Sequence, residues 1–135
     1  MPNNSPIPEE ERLVAIVDDD PSVRQSARRL IRTLGYRAEA FGSAEEFLDS
    51  GKTKKTACLI LDVRMPRMDG LELQRRMAGS AIPIVFITGR ASEEEERRAL
   101  RAGAVAFLRK PVDKQALLRV LGAVLETSES DGGKP

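Results

Sequence analysis

Acidic side chains stand at the ends of two apolar runs in this chain. Asp18-Asp19-Asp20 directly follows the apolar run LVAIV, and Asp62 directly follows the apolar run Cys58–Leu61. A third run, Ile84–Ile87, ends at Thr88, and a fourth, Ala104–Leu108, leads to Arg109-Lys110-Pro111. Short apolar runs of this kind read as buried strands. Carboxylates, a hydroxyl and an ammonium thus stand at carboxyl ends of strands, where open α/β sheets build their sites. Singly each has an ordinary explanation: Asp20 caps a helix, Thr88 is a strand residue, Lys110 is a solvated lysine. Together they are harder to dismiss, because like charges near one another disfavour ionisation. The cluster therefore asks for a cation. Hard oxygen donors suit Mg²⁺, which keeps several waters and takes one or two carboxylates. A carboxylate beside Mg²⁺, a lysine and a hydroxyl can attack phosphorus and become an aspartyl phosphate. The cations then stabilise the oxygens of the transferring phosphoryl group.

The composition agrees with such chemistry. The 135 residues contain no histidine, which excludes Ser–His–Asp triads, histidine metal sites and a histidine phosphocarrier. An ionised carboxylate nucleophile needs no general base. Cys58 is the one cysteine, so no internal disulfide forms and no cysteine zinc cluster exists. The formal charge of +1 gives no reason to expect direct nucleic-acid binding or an anionic membrane. No run of about 18 apolar residues suggests a membrane span, and MPNNSPIPEEE does not resemble a signal peptide. A cytoplasmic location is expected.

The elements that must position these residues alternate in period. After the strand Leu13–Val17, Asp20-Pro21 supplies an N-cap and a proline at the first helical position. Val23, Ala27, Leu30, Ile31 and Leu34 recur at helical spacing, and Gly35 closes that helix. Arg37–Phe41 reads as a more polar strand, and Ser43-Ala44-Glu45-Glu46 as a capping box opening a short helix. Leu71, Leu73 and Met77 mark a third helix after the loop 63–69. Ser92-Glu93-Glu94-Glu95 opens a fourth, in which Glu93/Arg97 and Glu94/Arg98 are expected as i,i+4 pairs. Asp113 caps a fifth, with Leu117, Leu118, Leu121, Val124 and Leu125 on one face. Five strand–helix units imply an α/β fold, a doubly wound parallel sheet with helices on both faces. The expected boundaries are a flexible lead at 1–11, one domain at 12–126, and a polar tail or start of a linker at 127–135.

The segments VAIVDDD (14–20), LILDVRMPRMDG (59–70), VFITG (85–89) and AGAVAFLRKPV (102–112) resemble the receiver domain of bacterial two-component response regulators. RMPRMDG and AGAVAFLRKP are most similar to the FixJ-like subgroup. The resemblance implies a (βα)5 receiver fold of strand order 2-1-3-4-5 and assigns roles. Asp62 matches the phosphoacceptor. Asp18 and Asp19 match the acidic pair at Mg²⁺, Asp19 directly and Asp18 through water, with Asp62 and the backbone carbonyl of Arg64 completing the protein ligands. Thr88 matches the hydroxyl that moves toward the phosphoryl group, and Lys110 the lysine that contacts it. Pro111 matches a proline preceded by a cis peptide. Phe107 stands at the switch aromatic, as Phe where Tyr is commoner, and Val112 where Phe is frequent. Arg64 and Arg90, two places after Asp62 and Thr88, flank the approach of the hydrolytic water and are expected to tune phosphoryl lifetime.

The same resemblance implies a histidine kinase as phosphoryl donor. It also implies a change in the face formed by the fourth helix, fifth strand and fifth helix, with phosphorylation-dependent homodimerisation there. The expected role is a signalling switch without an external turnover substrate. A flavodoxin-type carrier on the same fold would need a phosphate-binding loop where Asp18-Asp19-Asp20 stands. An aspartyl-phosphate phosphatase would need a second Asp where Arg64 stands. No helix-turn-helix follows the last helix. Either the receiver stands alone and acts by protein contact, or it belongs to a longer regulator with a DNA-binding output. The linker-like tail and the FixJ-like segments favour the latter, with transcription as the output.

Overall fold

The computed structural model describes residues 12–133, and side chains as far as Leu125. The lead at 1–11 lies outside the described residues. Five strands, β1 (Leu13–Val17), β2 (Arg37–Phe41), β3 (Thr56–Leu61), β4 (Ile84–Thr88) and β5 (Ala106–Arg109), form one parallel sheet in the order β2-β1-β3-β4-β5. Five helices connect and cover them: α1 (Pro21–Thr33), α2 (Ala44–Asp49), α3 (Gly70–Arg76), α4 (Glu93–Arg101) and α5 (Lys114–Gly133).

β1, β3 and β4 are buried on both sides, which is why they read as continuous apolar runs. Their alternate residues feed two cores. Val14, Ile16, Ile60, Val85 and Ile87 pack with Ile31 of α1 and Leu117, Leu121 and Leu125 of α5. Val17, Leu59, Leu61 and Phe86 pack with Phe47 of α2, Leu73 of α3 and Ala99 of α4. Each fully buried Leu, Ile or Phe contributes roughly 1.5–3 kcal/mol, so the strand ends rest on a stiff platform.

The boundaries differ from the sequence reading in three places. β3 starts at Thr56 rather than Cys58, because the register with β1 shifts between Leu13 and Val14 and places Thr56 before the irregularity. β5 is displaced toward its carboxyl end: Gly103 (φ 109°) and Ala104 close α4 instead, Ala104 N–H bonding back to the Ala99 carbonyl. α5 remains helical to Gly133, past the point where the polar tail was expected. No proline interrupts residues 114–133, so the turn docked by Leu117, Leu121 and Leu125 propagates. Among the described residues no helix is long and apolar enough to cross a membrane.

Candidate functional site

Sheet hydrogen bonds place each strand-end residue. Asp18 N–H donates to Phe41 O at 3.1 Å, Asp62 N–H to Val17 O at 3.0 Å, and Lys110 N–H to Thr88 O at 2.9 Å. Asp18, Asp62 and Lys110 thus continue the ladder, and Thr88 is the last residue of β4. The chain then turns away: Asp20 caps α1 by accepting from Ser22 N–H, and Asp69 caps α3 by accepting from Glu72 N–H.

The carboxylates of Asp18, Asp19 and Asp62 each offer one oxygen within 4.8 Å of the others. Asp18 and Asp62 are buried, whereas Asp19 is exposed. Lys110 Nζ bridges the buried pair, 3.0 Å from Asp18 Oδ2 and 3.5 Å from Asp62 Oδ2. Asp18 Oδ1 accepts from Asp20 N–H at 2.9 Å. Asp62 Oδ1 is buried and accepts no hydrogen bond. Burial pushes the Asp18 carboxyl above its usual range, despite the Asp20 amide and the Lys110 ammonium, which pull the other way. Burial alone would depress Lys110, but its hydrogen bond to Asp18 and the two carboxylate charges outweigh this and raise it. Two buried acids with one ammonium leave an excess of negative charge and one bare oxygen. Those all-oxygen donors fit a hard divalent cation such as Mg²⁺.

Thr88 is fully buried, and its hydroxyl is held by the next loop, with Arg90 O and Arg90 N–H each 3.3 Å away. The Lys110–Pro111 peptide is cis. Phe107 is half-buried, its ring centroid 5.7 Å from that of Phe86. Arg64 is exposed, and its Nη2 donates to Glu95 Oε1 on α4 at 2.7 Å. Arg90 is also exposed. The sheet therefore brings Asp18, Asp19, Asp62 and Lys110 together, while the Arg64 guanidinium is turned to α4.

The acids of α4 pair differently from the expected i,i+4 pattern. Glu94 pairs with Arg97, Glu95 with Arg64, and Glu96 with Arg109. Arg109 also donates to Ala91 O at 2.8 Å and lies 5.4 Å from the Phe107 ring centroid, joining β5 to the loop before α4. Two further supports escaped the sequence reading. Arg24 of α1 donates to Asp18 O at 2.8 Å. Gly70 lies against the Asp62 carbonyl, where a Cβ would have no room. A signal for Gly70 existed: glycine is a poor helix former, yet it opens a helix directly after the Asp69 cap.

A five-stranded doubly wound sheet with this cluster at its carboxyl edge defines the class of receiver-type phosphoacceptor switches. The chain belongs to the response regulator receiver domain family, whose model matches residues 14–122. It is similar to the response regulator protein TmoT of Ectopseudomonas mendocina, 40% identical over 87% of this chain and 54% of that protein. It is also similar to nodulation protein W of Bradyrhizobium diazoefficiens, 44% identical over 84% of this chain and 51% of that protein. The chain thus spans about half the length of the curated relatives it matches. Among solved structures, a response regulator receiver protein from Burkholderia phymatum is 43% identical, with TM-score 0.75 over 85% of this chain and 95% of that one. A CheY-like receiver domain from Methanospirillum hungatei superposes with TM-score 0.81 at 29% identity, covering 90% of this chain and 98% of that one. The chain is a phosphoacceptor signalling switch of the two-component type, in a family of signalling proteins rather than metabolic enzymes.

Proposed function

We propose that Asp62 is the phosphoacceptor of this receiver and that a histidine kinase is its donor. The observation that carries this reading is the bare, buried Asp62 Oδ1 beside two further carboxylates and Lys110. Asp62 oxygen forms the new bond to phosphorus as the phosphorus–nitrogen bond of the donor breaks. Asp18, Asp19, Asp62 and the Arg64 backbone carbonyl would hold Mg²⁺, which when bound neutralises charge on the phosphoryl oxygens. Lys110 already sits between Asp18 and Asp62 and can give its ammonium to the phosphoryl group. The Thr88 hydroxyl, held by two long hydrogen bonds, is free to exchange Arg90 for a phosphoryl oxygen. Phe107 then turns inward, and the α4–β5–α5 face changes its preference for partners, a second copy among them. The output of the longer regulator to which such a receiver is joined is transcription through a DNA-binding domain.

Arg64 and Arg90 stand two residues beyond Asp62 and Thr88 and shield the acyl phosphate from water. Their charge binds the ground and transition states alike, which leaves the rate unchanged. Occlusion therefore dominates, and replacing both by Ala should speed loss of the phosphoryl mass.

Acetyl phosphate with Mg²⁺ tests the central claim. Intact-mass measurement should show one phosphoryl group, absent in Asp62→Asn. Retained labelling in that variant would move the nucleophile elsewhere. Lys110→Ala should leave metal binding largely intact and cripple the switch.

A further inference from the structure

The Glu95 carboxylate has two tasks at once. Its Oε1 accepts from Ser92 N–H at 3.0 Å, while Ser92 Oγ accepts from Glu95 N–H at 3.0 Å, closing the capping box of α4. The same Oε1 accepts from Arg64 Nη2 at 2.7 Å. The partners are unequal in freedom. The Glu95 side chain is 16% exposed and tied to its own helix, whereas the Arg64 side chain is 49% exposed and rises from the loop that follows Asp62. Arg64 is the movable end.

The first turn of α4 holds Glu93, Glu94, Glu95 and Glu96. The helix dipole favours these acids, but four together repel one another. Two cations from outside the helix, Arg64 and Arg109, balance Glu95 and Glu96. The Glu95 carboxyl lies below its usual range, first through the Ser92 amide and then through the charge of Arg64, with burial opposing both.

A phosphoryl group two residues from Arg64 changes the competition. It brings nearly two negative charges and three strong acceptor oxygens, against one carboxylate oxygen already shared with a cap. We propose that Glu95 is a positioning residue for the phosphoryl site. It holds Arg64 on α4 until Asp62 is phosphorylated, and the transfer of Arg64 to the phosphoryl group loosens the first turn of α4. The signal then reaches α4 through Arg64 as well as through Thr88. This rests on Asp62 being the phosphoacceptor.

Glu95→Gln separates the two tasks, because Gln keeps the capping hydrogen bond and loses the charge that retains Arg64. Amide exchange at Glu95 and Glu96 in the unphosphorylated full chain reads the pair directly. Arg64→Ala and Glu95→Gln should each raise it about threefold, the scale of an exposed ion pair, and the double variant should go no further. After labelling with acetyl phosphate and Mg²⁺, Glu95→Gln should slow phosphoryl loss about threefold on the same scale, because the Glu95 charge no longer competes with the phosphoryl group for Arg64. That slowing should vanish when Arg64 is Ala. Parental exchange and decay in Glu95→Gln, or slowing that persists without Arg64, would overturn the proposal. Labelling that survives Asp62→Asn would instead strike the phosphoacceptor reading and the transfer step with it, and unphosphorylated exchange would still judge the pair.

Discussion

A Cβ placed on Gly70 would lie 2.1 Å from the Asp62 carbonyl oxygen and 3.1 Å from the Phe86 ring. The obstructing atom is backbone, so no rotamer change relieves it. Gly70 N–H also donates to Val63 O at 2.9 Å, folding the start of α3 back over the end of β3. Gly70→Ala should therefore cost about 3 kcal/mol, at the upper end of overpacking, and displace Asp62. Chemical denaturation gives the first quantity, and reduced labelling by acetyl phosphate reports the second. Parental stability in this variant would show that the loop yields without cost.

Asp18 and Asp19 differ in burial, and so should their substitutions. Because burial raises the Asp18 carboxyl above its unfolded value, the stabilisation from its protonated form is complete below that unfolded value and is lost as pH rises through the folded one. At neutral pH the ionised group is a cost. Asp18→Asn should raise the melting temperature of the metal-free chain, since Asn can still accept from Asp20 N–H. Exposed Asp19 carries no such burden, so Asp19→Asn should leave the metal-free melting temperature alone and weaken Mg²⁺ binding. For the parent, Mg²⁺ at ten times its Kd should add ~1.4 kcal/mol. A melting temperature indifferent to Mg²⁺ would count against metal binding at the cluster.

Much of the scaffold was legible because β1, β3 and β4 are buried on both faces, and burial writes apolar runs into a sequence. The strand-end residues Asp18, Asp62 and Thr88 followed, since each directly continues such a run, and Lys110 is separated only by Arg109 from the apolar part of the half-buried β5. The start of β3 was hidden by the register shift beside Leu13, and β5 by the Gly103 turn, neither of which alters local hydrophobicity. The partners of α4 are hidden from the sequence for a different reason. Helical spacing identifies neighbours on one helix, but Arg64 and Arg109 reach Glu95 and Glu96 from a loop and a strand that only tertiary packing brings near. Gly70 lies within the segment LILDVRMPRMDG, but its close approach to Asp62 is a contact visible only after β3 and α3 are packed.

Arg109 should restrain Phe107. Its guanidinium is fixed by Ala91 O and Glu96 over the ring, so inward rotation of Phe107 forfeits a cation–π contact. The site is exposed, and Arg109→Ala should cost less than about 1 kcal/mol of stability. Aromatic NMR resonances of Phe107 in the unphosphorylated variant should move toward their positions in the phosphorylated parent. Resonances that stay at the unphosphorylated parental values would show that Phe107 is held by packing against Phe86 alone.

Glu95 gives a pH dependence of opposite sign to that of Asp18. Its folded carboxyl is depressed, chiefly by the Ser92 amide, with the charge of Arg64 adding to it. A depressed carboxyl contributes stability that is present above its unfolded value, and that is lost as pH falls through the folded one. The ordinary glutamate value is 4.5, so the contribution is complete at neutral pH and fades in the acid range below that value. Glu95→Gln has no such titration, because its amide caps α4 equally at every pH. The parent should therefore protect the first-turn amides of α4 better than the variant at pH 7, and the two should converge as pH drops past the depressed value. Global stability would mix this effect with Asp18, whose protonation acts in the other direction, so residue-resolved exchange is the measurement to use. A parent–variant difference that persists unchanged into acid would mean that the Glu95 charge contributes nothing and that shape alone closes the cap.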